Sequence, residues 1–374
     1  MRVLSFFEDY SVPFSFSKFC VLASLLLLTS CNQNSRRPAV TDTQTQPDWF
    51  ETLTQSQKPV ANPDIPPEWT EVVASTVYIT AKDSEAFGSG FLIHPSGYVV
   101  TNRHVVMGEE LEYEVSFDQG EVTYQAELVS LNQCDDLALL RLKNTRGQQF
   151  PYVTFGERVR LGEEIWLAGY PGDREQVVLS QGNVAQIARK EIQELLGPVD
   201  TFAVNERLGG GSSGGPIFNN TQEVVGISYA IDPRGSFDDQ YAIRADTLLA
   251  SLPKMLKQKF IHGWGFEYDY AATEAIPVSR VYPESPAAEL GLEPGDVITE
   301  IEGVFFREQA GERYCRAMRV EGQDRETLRV TVNRRGQEYE GVVFEEALSP
   351  SADPAPSRPP ELEEVPDSVF EPLE

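Results

Sequence analysis

Between residues 72 and 252 the hydrophobic positions come in short β-branched and aromatic runs, VVASTVYIT, GFLI, YVVT, LALLRL, EEIWLAGY and EVVGISYAI, separated by turn-forming residues. Runs of this kind are strands, and such a series over ~180 residues predicts paired barrels or a sandwich. One turn is explicit: Phe91-Leu92-Ile93, then His94-Pro95-Ser96-Gly97, then Tyr98-Val99-Val100 reads as a hairpin, because Pro restricts φ and Gly accepts a positive one. A helix is expected at the end of the region, from Arg244 to Leu252, where Leu248, Leu249 and Leu252 share a face. From about residue 260 to 347 the pattern becomes mixed. Ser285-Pro286-Ala287-Ala288-Glu289-Leu290-Gly291 combines an N-cap, a Pro at the first helical position and a Gly stop, which predicts a short helix. Around it VSRVY, DVITEIEG and LRVTVNRRGQEYEGVVF alternate with period two, the last as a hairpin turning at Arg335-Gly336. This is a separate α+β domain of ~90 residues.

The two ends read differently. Residues 19–28, FCVLASLLLL, follow Lys18 and precede Thr29-Ser30-Cys31. An apolar run this short suits an export signal, since a spanning helix needs ~20 residues. Leu28-Thr29-Ser30-Cys31 looks like a bacterial lipobox, which makes residues 1–30 a signal peptide and Cys31 a lipidated first residue. Glu8 and Asp9 depart from a plainly basic leader, and an uncleaved amphipathic anchor or a buried helix is the competing reading. Residues 31–67, polar and rich in Gln, Thr and Pro, are expected to be a disordered tether. Its pair Trp49-Phe50 needs a docking groove or a partner subunit to bury it. Residues 348–374 form an acidic, Pro-rich tail that cannot offset its ordering entropy by apolar burial.

Charge and composition narrow the chemistry. The 31 Lys and Arg against 58 Asp and Glu give a net charge of -27, which sets nucleic-acid binding aside. Three His and four Cys, with no CxxC or HExxH, do not make a metal site, and no cofactor is expected. Cys134 and Cys315 fall in different predicted domains and Cys31 is assigned to lipid, so no disulfide framework is expected.

Three separated motifs carry chemistry. In Gly209-Gly210-Gly211-Ser212-Ser213-Gly214-Gly215-Pro216 the glycines permit a loop in which the amides of Gly211 and Ser213 converge on one point, an oxyanion hole beside a nucleophilic Ser213. Read alone, a Gly/Ser-rich stretch is as often a linker. Thr101-Asn102-Arg103-His104-Val105-Val106 ends an apolar strand with an imidazole, the usual base for a serine hydroxyl. His94 in the hairpin turn and His262 near the domain boundary are read as solvated or hydrogen-bonded. Cys134-Asp135-Asp136-Leu137-Ala138-Leu139-Leu140 brings a carboxylate into a buried strand, where it can fix an imidazole's tautomer. Asp136 adjoins the apolar run, and Asp135 is read as a solvated turn acid.

In the order His104, Asp136, Ser213 these motifs resemble the trypsin-like serine proteases, and specifically the HtrA/Deg family. Gly88-Ser89-Gly90-Phe91, TNRHVV, DLALL and SSGGP fall in family order from about residue 72 to 347. The resemblance implies a mainly β chain: a chymotrypsin-like double β-barrel over 68–255, followed by a small α+β PDZ domain over 260–347. It also implies that Ser213 attacks a peptide carbonyl, His104 takes its proton and Asp136 orients His104. Ser228, Tyr229 and Ala230 resemble the strand that pairs with extended substrate. Trp264-Gly265-Phe266 resembles the PDZ loop that presents amides to a peptide C-terminal carboxylate, with Gly265 and Phe266 as donors; the plainer reading is that Trp264 and Phe266 only fill the core. Ser212 stands where the family commonly has Asn, Phe202 where it usually has Asp, and the loop before the nucleophile is longer than usual. The implied function is an endopeptidase for unfolded or misfolded exported proteins, lipid-anchored in the bacterial cell envelope, facing the periplasm or exterior and assembled as a homotrimer. The alternative is a chaperone or scaffold that captures C-termini with the triad idle.

Overall fold

The computed structural model describes residues 65–350, apart from 82–85, 108–110, 118–121, 173–175, 191–198, 207, 232–239, 269–273, 307–309, 321–326 and 344–345. The export signal, Cys31, Trp49-Phe50 and the tail beyond Pro350 lie outside the described residues.

A 3-10 turn at Pro67–Trp69 and a short helix α1 (Thr70–Val73) lead in, with Trp69 packed on Trp166 and Phe218 at ring separations of 4.8 and 5.9 Å. The first barrel follows: β1 (Thr76–Ala81), β2 (Phe87–His94), β3 (Tyr98–Asn102), β4 (Glu112–Phe117), β5 (Val122–Asn132) and β6 (Leu137–Leu142). Its antiparallel order is β5-β4-β1-β2-β3-β6, and β5 also pairs with β6, which closes it. Side-chain alternation sets the inside: β4 buries Tyr113, Val115 and Phe117 and turns the intervening residues outward. The β2–β3 hairpin turns where expected, with the Gly97 amide on the His94 carbonyl at 3.1 Å.

The second barrel consists of β7 (Glu164–Gly169), β8 (Val178–Lys190), β9 (Val199–Val204), β10 (Pro216–Asn219), β11 (Val224–Ile231) and β12 (Gln240–Arg244), closed in the order β10-β11-β12-β9-β8-β7. A common apolar cluster joins the barrels: Phe91 and Leu137 from the first, and Phe218, Ile227 and Tyr229 from the second. Helix α2 (Ala245–Met255) covers it with Leu248 and Leu252 and runs past Pro253, further than the sequence pattern suggests.

After α2, β13 (Phe260–Ile261) lies parallel to the end of β5. The third domain then comprises β14 (Phe266–Tyr268), β15 (Ile276–Val281), α3 (Pro286–Leu290), β16 (Val297–Ile301), β17 (Val304–Phe305), α4 (Ala310–Val320), β18 (Leu328–Arg334), β19 (Gln337–Val343) and β20 (Glu346–Pro350). The sheet order is β14-β15-β16-β18-β19-β20, with β17 on β16, and β20 carries the sheet three residues past Ala347. Helix α3 forms as its sequence dictates: the Ser285 hydroxyl accepts the Ala288 amide at 3.2 Å, and Gly291 ends it in the left-handed region. Arg335 and Gly336 both have positive φ, the requirement of a two-residue hairpin turn. Helix α4 is not evident from the sequence pattern, because Glu312, Arg313, Arg316 and Arg319 interrupt a face of Ala310, Tyr314, Cys315 and Met318 that is nonetheless buried.

One expectation is overturned. Cys134 and Cys315 form a disulfide, with Cα atoms 5.3 Å apart across 181 residues of sequence. Different domains do not keep them apart, because the third domain packs directly on the turn that precedes β6, and both cysteines are fully buried in its core.

Candidate active site

The proposed base and its carboxylate sit side by side because β3 and β6 are hydrogen-bonded neighbours with Asn102 opposite Leu137. His104 follows β3 in a 3-10 turn (Arg103–Val106), and Asp136 immediately precedes β6. Two bonds join them: the His104 amide donates to Asp136 Oδ1 at 3.0 Å, and His104 Nδ1 donates to Oδ2 at 2.7 Å. A carboxylate can only accept, so the proton is on Nδ1 and the lone pair on Nε2. Asp136 is completely buried, whereas the His104 side chain is 30% exposed and open to a substrate. The carboxylate's own backbone is unusual. Asp136 has φ 51°, and its carbonyl is fixed by the Arg103 amide at 2.9 Å and by Asn102 Nδ2 at 3.1 Å.

Ser213 arrives from the second barrel, on the loop between β9 and β10. Its hydroxyl donates to the Tyr229 carbonyl at 3.3 Å, and among the described residues no hydrogen bond yet joins it to His104. Such a contact commonly tightens only when substrate is bound. The glycines meet a steric demand: a Cβ on Gly214 would lie 2.2 Å from the Ser89 carbonyl oxygen, and one on Gly211 would lie 2.5 Å from that of Tyr170, both at positive φ. The Gly172 amide donates to the Gly210 carbonyl at 2.5 Å, so that oxygen has a partner of its own. Among the described residues no protein acceptor uses the Gly211 or Ser213 amide, so both remain available to an oxyanion.

Sequence reasoning missed two residues that hold this loop. Ser89 on β2 donates its hydroxyl to the Gly211 carbonyl at 2.8 Å, accepts the Tyr170 amide at 2.9 Å, and donates its own amide to the Ser213 carbonyl at 2.8 Å. Gln240, at the start of β12, bonds Ser228 Oγ and reaches Ser212 Oγ at 3.2 Å through Nε2, and accepts the Leu208 amide at 3.1 Å through Oε1. That ties down the long loop, and Ser212 points inward to donate to the Gly209 carbonyl. Phe202 is buried in the second barrel against Gly226. In the strand expected to pair with substrate, Ser228 and Tyr229 are buried, and the ladder shifts register between Ser228 and Ala230, with the Tyr229 carbonyl accepting the Ser213 hydroxyl.

Asp135 is not a solvated turn acid. It is 5% exposed and bonded to Asn132 Nδ2 at 2.6 Å, Ser251 Oγ at 3.2 Å and Arg319 at 2.5 Å, with His262 Nδ1 3.6 Å away. Burial opposes its charge, but the neighbouring His262 and the positive Arg319 outweigh that and hold its carboxyl well below the usual range. His94 bonds Ser96 Oγ at 2.7 Å, and burial lowers its pKa. Gly265 has φ 80°, its carbonyl taking the Tyr282 amide and the Ser285 hydroxyl. Phe266 and Trp264 are buried against Tyr314, and the Phe266 carbonyl accepts Gln133 Nε2 at 2.9 Å.

A trypsin-like peptidase domain matches residues 88–227, and a PDZ domain matches residues 278–334. This pair of domains is the one that the HtrA/Deg proteases carry, and the chain is similar to members of that family. Among curated relatives, a probable periplasmic serine endoprotease, DegP-like, of Brucella suis biovar 1 is 33% identical over 236 residues, covering 58% of this chain and 45% of that one. The serine endoprotease DegS of Haemophilus influenzae is 28% identical over 232 residues, 59% of this chain and 67% of that one. The chain thus spans less than half the length of the Brucella relative. Of the solved structures, the HtrA-type protease AlgW with tripeptide is 24% identical, with a TM-score of 0.48 over 77% of this chain and 99% of that one.

Proposed function

We propose that this HtrA/Deg chain is a serine endopeptidase acting on locally unfolded exported proteins in the bacterial cell envelope, with His104, Asp136 and Ser213 as its triad. The observation that carries the reading is the two-point His104–Asp136 bond beside a nucleophile loop whose Gly211 and Ser213 amides are available. In the reaction His104 Nε2 takes the Ser213 proton as Oγ adds to the peptide carbonyl. The imidazolium is stabilised by Asp136, the oxyanion by the two amides, and the proton then passes to the leaving amine. Extended substrate would lie along the Ser228-Tyr229-Ala230 edge, bound through main-chain hydrogen bonds, which is why a folded chain is a poor substrate. Periplasmic relatives support the envelope location; the Cys31 lipid anchor and the homotrimer belong to the proposal and rest on the leader sequence and the resemblance. Capture of peptide C-termini by Gly265 and Phe266 also belongs to it, and requires the PDZ to part from Gln133.

Digestion of unfolded casein tests the reading. Wild-type protein is expected to cut it, and Ser213→Ala and His104→Ala to lose cleavage while keeping the wild-type circular dichroism spectrum. Cleavage persisting in Ser213→Ala would overturn the assignment. An uncut casein with suppressed aggregation in the wild type would favour the chaperone reading.

A further inference from the structure

The triad aspartate stands on a turn whose outer side belongs to the PDZ. Residues 133–136 link β5 to β6, and Asp136 closes the turn with a left-handed backbone, a conformation that in a residue with a side chain persists where the surroundings over-determine it. From the barrel side the restraints are the Arg103 and Asn102 bonds to its carbonyl. Asn132 and Ser251 also bond the Asp135 carboxylate from the barrel side, and a further set of restraints comes from beyond the barrel. Cys134 is disulfide-bonded to Cys315 on α4. One helical turn further along, Arg319 donates to the Cys134 carbonyl at 2.9 Å and to Asp135 Oδ1 at 2.5 Å. The Gln133 amide donates to the Ile261 carbonyl at 3.0 Å, and its side chain holds the Phe266 carbonyl. Every residue between Asn132 and Asp136 is therefore gripped by α4, β14 or the segment leading to them.

We propose that the PDZ is a positioning element of the triad: through Cys315 and Arg319 on α4 it holds the 132–136 turn so that the Asp136 carboxylate is aimed at the His104 amide and at Nδ1. The inference rests on the triad reading above. Cys315 and Arg319 touch no reacting atom; they act through the backbone between Cys134 and Asp136, where the single residue Asp135 is too short a link to absorb a shift. Their loss is expected to loosen the His104–Asp136 bond while leaving the substrate strand β11 and the Gly211 amide in place, since neither contacts α4. A carboxylate displaced by about 1 Å from its partner lowers turnover by roughly tenfold to a hundredfold without changing ground-state binding.

The test compares the full-length chain with the double variant Cys134→Ser/Cys315→Ser and, separately, with Arg319→Gln, which removes hydrogen bonds and leaves the disulfide. Two readouts are taken: kcat and KM on a short chromogenic peptide ester, and the low-field proton NMR signal of His104 Nδ1–H shared with Asp136. Both variants are expected to keep the KM of the wild type, to lose kcat roughly tenfold to a hundredfold, and to broaden or lose the low-field signal. A bridge that only fastened two modules together would lower the melting temperature and move neither readout, and that result overturns the proposal. If the wild type has no esterase activity, the protease reading fails, while the proton signal, unchanged or lost between wild type and variants, still decides the clamp.

Discussion

Ser89 has no reactive chemistry of its own, yet the nucleophile loop is registered against the first barrel through it: its hydroxyl spans the Gly211 carbonyl and the Tyr170 amide, and its amide holds the Ser213 carbonyl. Ser89→Ala leaves that buried amide and carbonyl without their partner, at ~1–3 kcal/mol for an unsatisfied group. The expected outcome is a fall of that size in urea stability together with a larger proportional fall in kcat than in 1/KM, because the oxyanion donors are displaced while the substrate edge is not. An unchanged kcat would mean that the loop is held by Gln240 and the Gly172 amide alone. Gly214 is stricter, since any Cβ there meets the Ser89 carbonyl at 2.2 Å at a φ of +85°. Gly214→Ala is expected to abolish casein cleavage, and measurable cleavage would show that the loop can relax. The residues proposed as the triad could be singled out in the sequence because each lies in a local motif with its own chemical logic. Ser89 and Gln240 were not, because their partners are far along the chain and a buried polar residue in a strand carries no outward mark.

At the scale of elements, the 132–136 turn concentrates the electrostatics of the domain seam. Asp135, taken from sequence for a solvated acid, is buried among Asn132, Ser251, His262 and Arg319, and its pKa is depressed below the ordinary ~3.9 of an aspartate. A carboxyl whose folded pKa lies below its unfolded one stabilises the fold at every pH above the unfolded value, and loses that contribution as pH falls through the folded value. Asp135→Asn is therefore expected to cost about 3 kcal/mol at pH 7, the order seen when one member of a buried pair is removed. The deficit should be the same at pH 5 and shrink once the pH drops below about 4. Urea unfolding of both proteins at pH 7, 5 and 3 measures it, and a deficit that grows on acidification would contradict the assignment. Elements themselves were readable where a cap or turn residue marks them, as at Ser285, Gly291 and Arg335-Gly336. Helix α4 was missed because its exposed faces are so charged that the buried stripe at Ala310, Tyr314, Cys315 and Met318 is hard to see without the sheet it covers.

For the molecule as a whole, an all-β body and the α+β module follow from strand patterning and the choice of a double barrel over a sandwich from the family resemblance, whereas their union follows from neither. Tyr282 of the PDZ lies in the apolar cluster of the first barrel, β13 extends the β5 edge, and the disulfide closes a loop of 181 residues. Burial, then the charge of Glu267 and its bond to the phenol, push the Tyr282 pKa upward, so this seam stays uncharged at its tyrosine throughout the neutral range. None of this is a property of one segment, and a cysteine pair this far apart has no sequence signal. A cross-link over such a loop restricts the unfolded chain by about 5 kcal/mol in the chain-entropy model. The oxidised chain is accordingly expected to lose barrel and PDZ structure in a single transition, and the Cys134→Ser/Cys315→Ser protein to melt at lower temperature with the PDZ unfolding first. Coincident transitions in the variant would show that the seam holds without the bridge. The central claim is that these motifs assemble a working serine nucleophile, and the most direct measurement is mass spectrometry of the full-length protein after reaction with a fluorophosphonate, with Ser213→Ala alongside. The account predicts a single adduct on Ser213 that is absent from the variant; folded wild-type protein that acquires no adduct, or acquires it equally in Ser213→Ala, would contradict it.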